Sequence, residues 1–289
     1  MSRVLYKILV PVFVLLLCQA CITEVDVGAC NNTVIRFEYF GDGKDDVFAD
    51  NVSSVTVCVY DSEGKLVTQV TIDKDSLKDF PGLKLRLPET GSYTVVAWGN
   101  LDDDCKLESQ DKYTDGKVVV DGDNPDTFDK IFVGKIEFEL DDLDGRKEME
   151  IPFKSGHVTV NTYIQSSLDE TPKYMVKMGE FASGISNSGD PVGPMRYYQT
   201  DFTTTPEGRH EAVTHLPRFS EDTDAVLEVY DTATGTLVAS VKLAEYIAAH
   251  GIKLTGVEDA VIDVLIDISG TNISIKFPGW KPKPIYPSI

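Results

Sequence analysis

The stretch Ser54-Val55-Thr56-Val57-Cys58-Val59-Tyr60 decides the fold, because valine stands at every second position from Val55 to Val59. A period of two is the spacing of a β-strand that turns one face to a core. The same period recurs at residues 34–40, 66–72, 92–98, 131–140, 157–164, 174–181, 225–230, 236–242 and 260–268. Turn residues such as Gly41-Asp42-Gly43 and Asp144-Gly145 separate these runs. The pattern predicts an all-β fold of antiparallel sandwich type.

Helical signals are scarce outside these runs. Residues 73–80 end at Pro81-Gly82 and are long enough for two turns. Residues 243–250 place Leu243 and Ile247 on one face and stop at His250-Gly251. The sequence therefore predicts two short helices beside the strands.

A repeated hairpin motif divides the chain into two similar halves. Val59-Tyr60-Asp61 with Gly64 recurs as Val229-Tyr230-Asp231 with Gly235, and each copy is typical of a strand, a tight turn and a second strand. Convergent turn chemistry and true duplication both explain the repeat. With a boundary in the turn at 153–156, we predict an N-terminal β-sandwich over 34–154 and a C-terminal β-sandwich over 155–289.

The first twenty-one residues indicate export. Arg3 and Lys7 precede an apolar run of about ten residues, which is too short for a membrane-spanning helix of about 20 residues. The run ends at Ala20-Cys21, and this arrangement is typical of a bacterial lipoprotein signal. We predict a signal peptide over 1–20, lipidation at Cys21 and a tether over 21–33. An ordinary secretory signal with an incidental Cys21 is the alternative.

The chain is strongly acidic. It carries 27 Lys+Arg against 47 Asp+Glu, a net charge of −20. Removal of residues 1–20 takes away Arg3 and Lys7 and no acid, which leaves 25 basic against 47 acidic residues and a charge of −22. This balance argues against a nucleic-acid partner, whose phosphates require a basic surface. It also argues against peripheral binding to anionic lipid.

The cysteines of the body give no complete disulfide framework. Cys30, Cys58 and Cys105 are an odd set, and any of the three pairings leaves one free thiol. Cys58 lies inside a predicted strand, where a small buried apolar role is expected.

No catalytic or metal-binding pattern is present in the sequence, and we predict neither an enzyme nor a cofactor. The acidic runs, such as Asp102-Asp103-Asp104, lack the spacing of a calcium loop and are expected in solvated turns. The odd separation of His210 and His215 would place them on opposite faces of a strand, so the histidines are interpreted as turn or surface residues. Trp98 ends an alternating run and is expected in a core.

The chain resembles the FimB-like fimbrillin-associated anchor lipoproteins of Bacteroidales. The resemblance is carried by Cys21, by Cys30 before the run 34–40, by the segment Gly91-Ser92-Tyr93-Thr94-Val95-Val96-Ala97-Trp98-Gly99-Asn100 and by the ending Ile275-Lys276-Phe277-Pro278-Gly279-Trp280. It implies two tandem transthyretin-like Greek-key β-sandwich domains. It also implies an outer-membrane, lipid-anchored subunit at the base of a fimbria, with shaft or accessory pilins as partners.

The resemblance further implies a strand-exchange mechanism. In related pilins, cleavage after an arginine removes the first strand and a strand from a neighbour fills the groove. Here the first strand contains Arg36, but nothing in the sequence marks Arg36 as a cleavage site. Residues 271–277 are the better candidate for donation, because the tail after them is rich in proline. A surface carbohydrate-binding or tip-like adhesive lipoprotein remains the alternative function.

Overall fold

The computed structural model of this protein describes residues 31–101, 104–121, 127–166, 173–206, 209–269 and 272–278. Strands dominate these ranges, and the predicted all-β sandwich fold is confirmed. The predicted signal peptide 1–20, the predicted lipidation site Cys21 and most of the tether 21–33 lie outside the described residues.

The strands of the first half of the chain are β1 (Thr33–Glu38), β2 (Val55–Tyr60), β3 (Leu66–Ile72), β4 (Gly82–Leu85), β5 (Gly91–Gly99), β6 (Cys105–Glu108), β7 (Lys117–Val120), β8 (Phe132–Leu140) and β9 (Lys147–Ser155). Those of the second half are β10 (His157–Ser166), β11 (Tyr174–Ser186), β12 (Pro191–Asp201), β13 (Thr203–Thr204), β14 (His210–Pro217), β15 (Val226–Asp231), β16 (Thr236–Lys242), β17 (Val261–Ser269) and β18 (Asn272–Lys276). The helices are α1 (Phe48–Asn51), α2 (Lys74–Asp79) and α3 (Leu243–His250).

The two predicted helices are confirmed, and their ends follow from local chemistry. The carboxylate of Asp73 accepts a hydrogen bond of 2.8 Å from the backbone N–H of Ser76, which caps α2. Gly251 ends α3 with φ 63°, a left-handed conformation that glycine adopts without steric cost.

The first half of the chain builds a seven-stranded sheet in the order β3-β2-β5-β8-β9-β1-β4. β9 joins its two parts, because residues 153–155 pair with β8 and residues 147–152 pair with β1. The sheet encloses a core to which Ile35, Val57 and Phe153 contribute, each at most 1% exposed.

The second half builds two sheets that face each other across a second core. One has the order β13-β14-β10-β17-β18, and the other has the order β16-β15-β11-β7-β6 with β12 also paired to β11. The hairpin of β6 and β7 comes from the first half of the chain and joins the second-half sheet by the pairing of Val118 with Ile185. The domain boundary between residues 154 and 155 remains a prediction.

The two halves share apolar packing through β2 and β5. Val57 of β2 faces the first core, whereas Cys58 and Tyr60 belong to the second. Trp98 of β5 also lies in the second core and is 0% exposed, as expected from the sequence. Because both faces of β2 are buried, separation of the halves would expose apolar surface.

Candidate functional site

The first strand lies inside its sheet and not at an edge. β1 pairs in parallel with β9 from Thr33 to Glu38 and antiparallel with β4 from Thr33 to Arg36. Ile35 and Phe37 are 0% and 2% exposed. Burial of two such side chains contributes about 3–6 kcal/mol before the ordering entropy is counted. A chain without β1 would therefore present an apolar groove between β4 and β9.

Hydrogen bonds fasten both ends of β1. The side-chain amide of Asn32 donates to the carbonyl of Leu87 over 3.0 Å, and its oxygen accepts from the N–H of Leu87 over 2.9 Å. At the other end the N–H of Phe37 donates to the carbonyl of Pro81 over 2.9 Å. The backbone of β1 is thus held on both sides and at both ends.

Arg36 points away from the core on the outward face of β1. Its guanidinium carbon lies 5.1 Å from the centroid of the Phe80 ring, and the ammonium of Lys84 lies 4.4 Å from the same centroid. The side chain is exposed, but the peptide bond after Arg36 belongs to a strand paired with β9. A protease would have to lift this segment out of the sheet to cleave there.

The last described strand, β18, lies at the edge of the five-stranded sheet. It pairs antiparallel with β17, placing Ile275 opposite Ile266 and Ile273 opposite Ile268. Opposite residues of such a ladder share a face, and Ile266 and Ile268 face the second core. Ile273, Ile275 and Phe277 nevertheless remain 44%, 39% and 45% exposed. The core therefore continues onto β18 as an uncovered apolar row.

Two other strands of these sheets, β12 and β13, are less suited to pairing with an added strand. β12, which pairs with β11 alone among the described strands, contains Pro191 and Pro194. Proline offers no N–H to an added strand and blunts such an edge. β13 is two residues long. β18 contains no proline, so its backbone is suited to pairing with a further strand.

Helix α3 supports the end of β18. The hydroxyl of Tyr246 donates to the carbonyl of Asp263 over 2.6 Å and lies 3.1 Å from that of Lys276. The ring of His250 lies 5.4 Å from that of Phe277. On the opposite face of β18, the ammonium of Lys276 contacts a carboxylate oxygen of Asp267 at 2.6 Å. The apolar row is therefore held in place although it is exposed.

The two halves also meet at a polar junction. The carboxylate of Asp42 accepts from the N–H groups of Glu258 and Asp259, each over 3.0 Å. The N–H of Phe40 donates to Glu258 Oε2 over 3.0 Å. Arg218 lies beside this contact and donates to the carbonyls of Ser155, Leu254 and Val257 over 2.6–2.7 Å. These bonds join the loop after β1 to the loop before β17.

The interpretation of the histidines as turn or surface residues is wrong for His157 and His215. His157 is 0% exposed, its Nδ1 lies 2.7 Å from the carbonyl of Ile131, and its Nε2 has no hydrogen-bond partner within the described ranges. Burial lowers the pKa of His157 well below its usual value and that of His215 to about 4. His157 stands at the start of an alternating run, and this position could have indicated its burial.

The body cysteines are buried thiols. Cys58 is 0% exposed, as predicted, Cys105 is 4% exposed, and neither forms a disulfide. Burial raises the pKa of the Cys58 thiol to about 11 and that of Cys105 as well. Both thiols stay protonated at neutral pH and are poor nucleophiles. Cys30 lies outside the described residues.

The described residues contain no group of three or more His, Cys, Asp or Glu side chains arranged to hold a metal ion. Nor does any helix in the described ranges have the length and apolarity needed to span a bilayer.

Comparison with known proteins identifies the family. The family model described as fimbrillin-A associated anchor proteins Mfa1 and Mfa2 matches residues 27–285. Among curated proteins, none matches the sequence.

Solved structures with the same fold come from bacteria. The fimbrial anchor protein Mfa2 from Porphyromonas gingivalis has a TM-score of 0.66 at 16% identity, over 86% of this chain and 97% of that one. A candidate adhesin from Bacteroides thetaiotaomicron gives 0.67 at 19% identity, over 86% and 97%. A candidate polysaccharide-binding protein from the same species gives 0.66 at 18% identity, over 81% and 90%.

Proposed function

This chain belongs to the family of fimbrillin-A associated anchor proteins, and on that premise we propose that it attaches a fimbrial polymer to the outer membrane and terminates it. Members of this family are described as anchor proteins associated with fimbrillin, so the chain is a fimbria-associated protein. The proposed partners are fimbrial shaft or accessory pilin subunits. The proposed membrane link is an acylated Cys21.

The lipid on Cys21 would supply the attachment to the membrane. A single acyl chain binds a bilayer only reversibly, whereas two or three chains hold a protein essentially permanently. The segment between Cys21 and Asn31 spans at most about 36 Å when extended. A force transmitted through the tether would therefore act on the folded part of the chain at β1, the first strand.

Retention of β1 would terminate the polymer. Ile35 and Phe37 fill the space that an incoming strand would need, and Asn32 fastens the strand at its start. A subunit that keeps this strand offers no groove there for a further subunit. Growth by strand complementation would then stop at this protein.

The uncovered apolar row of β18 carries the proposal of attachment. A strand from a pilin would pair with the free backbone of β18 and cover Ile273, Ile275 and Phe277 with its own apolar side chains. Strand addition supplies main-chain hydrogen bonds for affinity and side-chain packing for specificity. The sequence predicts residues 271–277 as a strand donated to a neighbour, whereas in this proposal β18 stays paired with β17 and receives the pilin strand.

Pull-down of the native protein from outer membranes tests the proposal. Pilin should copurify with the unaltered chain, and Cys21→Ala should release both proteins into the medium. Ile275→Asp should abolish pilin capture without unfolding the protein, because the side chain is already 39% exposed. Met195→Asp, at a 58% exposed position of β12, is the matched control and should capture pilin normally. Absence of pilin from every sample would refute the anchor role.

A second candidate is an adhesive, carbohydrate-binding role, which is the alternative to the anchor that the sequence predicts. One observation favours it: Tyr197 on β12 is 53% exposed on an open sheet face. Attachment to a pilus and contact with glycan use different surfaces, so the two roles are separable by mutation.

A further inference from the structure

The outward face of β11, β12 and β15 carries a row of hydrogen-bonding side chains. Val176 and Met178 of β11 are fully buried, so Lys177 between them points outward. The strand registers place Gln199 of β12 and Glu228 of β15 on either side of Lys177. Donors and acceptors thus follow one another across three neighbouring strands.

Tyr197 lies beside this polar row. The ammonium of Lys177 is 4.5 Å from the centroid of its ring. The ring occupies the space above Gly179 of β11, where an added β-carbon would clash with Tyr197 Cδ1. The glycine therefore allows the ring to lie across the neighbouring strand, where half of its surface remains accessible.

Tyr230 lies near the same row on β15. It stands opposite Met175 in the register, and its hydroxyl donates to Glu228 Oε2 over 2.9 Å. That hydrogen bond raises the pKa of Tyr230, and the nearby phenol of Tyr197 acts in the same direction. Two aromatic rings therefore accompany the hydrogen-bonding groups on this face.

We propose that this face binds a neutral polysaccharide chain, an assignment that rests on the adhesive candidate function and names its site. The apolar C–H faces of sugar rings pack on Tyr197 and Tyr230. The sugar hydroxyls accept from Lys177 and donate to Glu228. An open sheet face suits a polymer that runs across it, because a long chain needs no closed pocket.

Charge selects a neutral polymer over an acidic one. Lys177 and Glu228 stand opposite each other and their charges cancel locally. A polyanion would also meet the net charge of −20 carried by the whole chain. A protein partner fits less well, because the centres of protein interfaces are depleted of charged residues.

Affinity electrophoresis of the full chain in a mild detergent tests this site. The probes are native gels that contain mannan, xyloglucan or dextran, with polygalacturonate as the acidic counterpart. At least one neutral polymer should retard the protein, and Tyr197→Ala should weaken the binding at least tenfold. Gly179→Ala removes no functional group but displaces the Tyr197 ring, so it should weaken binding as well. Tyr197→Phe keeps the ring and should retain most of the binding.

Phe277→Ala, at the residue that follows β18, separates this site from the anchor role. This variant should keep polysaccharide binding and lose pilin capture. Tyr197→Ala should lose polysaccharide binding and keep pilin capture. Retardation by none of the neutral polymers would overturn the proposal, and so would retardation by polygalacturonate alone. Binding that survives Tyr197→Ala and Gly179→Ala unchanged would overturn the assignment to this face.

Discussion

The rings of His157 and His215 meet edge to face with 5.0 Å between their centroids. They lie on paired strands at the junction of the two halves, where burial lowers the pKa of His157 and the positive charges of Lys130 and Arg218 lower it further. The junction therefore holds two neutral imidazoles beside two cations, and protonation of either ring is unfavourable there.

We expect the free energy of unfolding to fall as the pH falls from about 6.5 to about 4. Above this range both histidines are neutral in the folded and the unfolded chain, so their full contribution is present. Within this pH range the two histidines bind protons in the unfolded chain, whereas burial disfavours their protonation in the folded chain. The lowered pKa of His215, about 4, corresponds to at most about 3 kcal/mol. Urea unfolding at several pH values measures the effect.

The matched control for the pH effect is His215→Gln. Burial raises the pKa of Asp259 and Asp263, and these carboxyls oppose the trend of the histidines. The difference between the two proteins therefore isolates the imidazole. An identical pH dependence in both would contradict this assignment.

Arg218→Lys should destabilise the protein by about 2–4 kcal/mol, because a lysine cannot reach the three carbonyls that the guanidinium binds. Thermal or urea unfolding measures the loss. Arg146→Lys is the control, since Arg146 makes an exposed ion pair with Glu148 and should cost less than about 1 kcal/mol. Equal losses of stability from the two substitutions would contradict a stabilising role of the Arg218 hydrogen bonds at the junction.

The peptide bond after Arg36 should resist trypsin in the folded protein. Asn32→Ala removes both hydrogen bonds to Leu87 and should weaken the start of β1 by about 1–3 kcal/mol. Cleavage after Arg36, followed by mass spectrometry, should then be faster by roughly fivefold or more. Asn161→Ala, which loses a single bond to Asp263, should leave this cleavage unchanged. Rapid cleavage of the unaltered chain would refute the retention of β1.

Tyr60→Phe should destabilise the docking of the β6–β7 hairpin by about 1–2 kcal/mol. The Tyr60 hydroxyl donates to Gln110 Oε1 over 2.6 Å and accepts from the amide of Asn187 over 2.9 Å. The substitution removes this hydroxyl, so both side chains lose a hydrogen-bond partner. Hydrogen exchange of the amides of β7 should quicken in the variant. Tyr93→Phe, which loses one bond to the carbonyl of Glu89, should leave that exchange unchanged.

Alternation of apolar side chains predicted the strands that bury one face and the fold class that they build. The strands that it missed include β9, β12 and β14. In β12, Pro191 and Pro194 are typical of a loop when the neighbouring strand is unknown. Alternation could not reveal the parallel pairing of β1 with β9 or the hairpin of β6 and β7 in the second-half sheet, because the partners are distant in sequence. Those pairings depend on cores that exist only after folding.

The same limit applies to the candidate surfaces. The segment 271–277 is predicted from the sequence as a donated strand because prolines follow it, whereas in the structure residues 272–276 form the edge strand β18 and pair with β17 of the same chain. The face with Tyr197 was not predicted, because it depends on the register that places Lys177, Gln199 and Glu228 in one row. The role of Gly179 beneath the ring likewise has no local signature.

The pairing of β1 with neighbours on both sides has a mechanical consequence. A force that pulls the amino-terminal end of β1 along its axis would load the hydrogen bonds to β9 and β4 together, in shear. Bonds loaded together share the force, whereas bonds peeled from one end break one at a time. The first strand is therefore oriented so that its hydrogen bonds to both neighbours resist its extraction under tension.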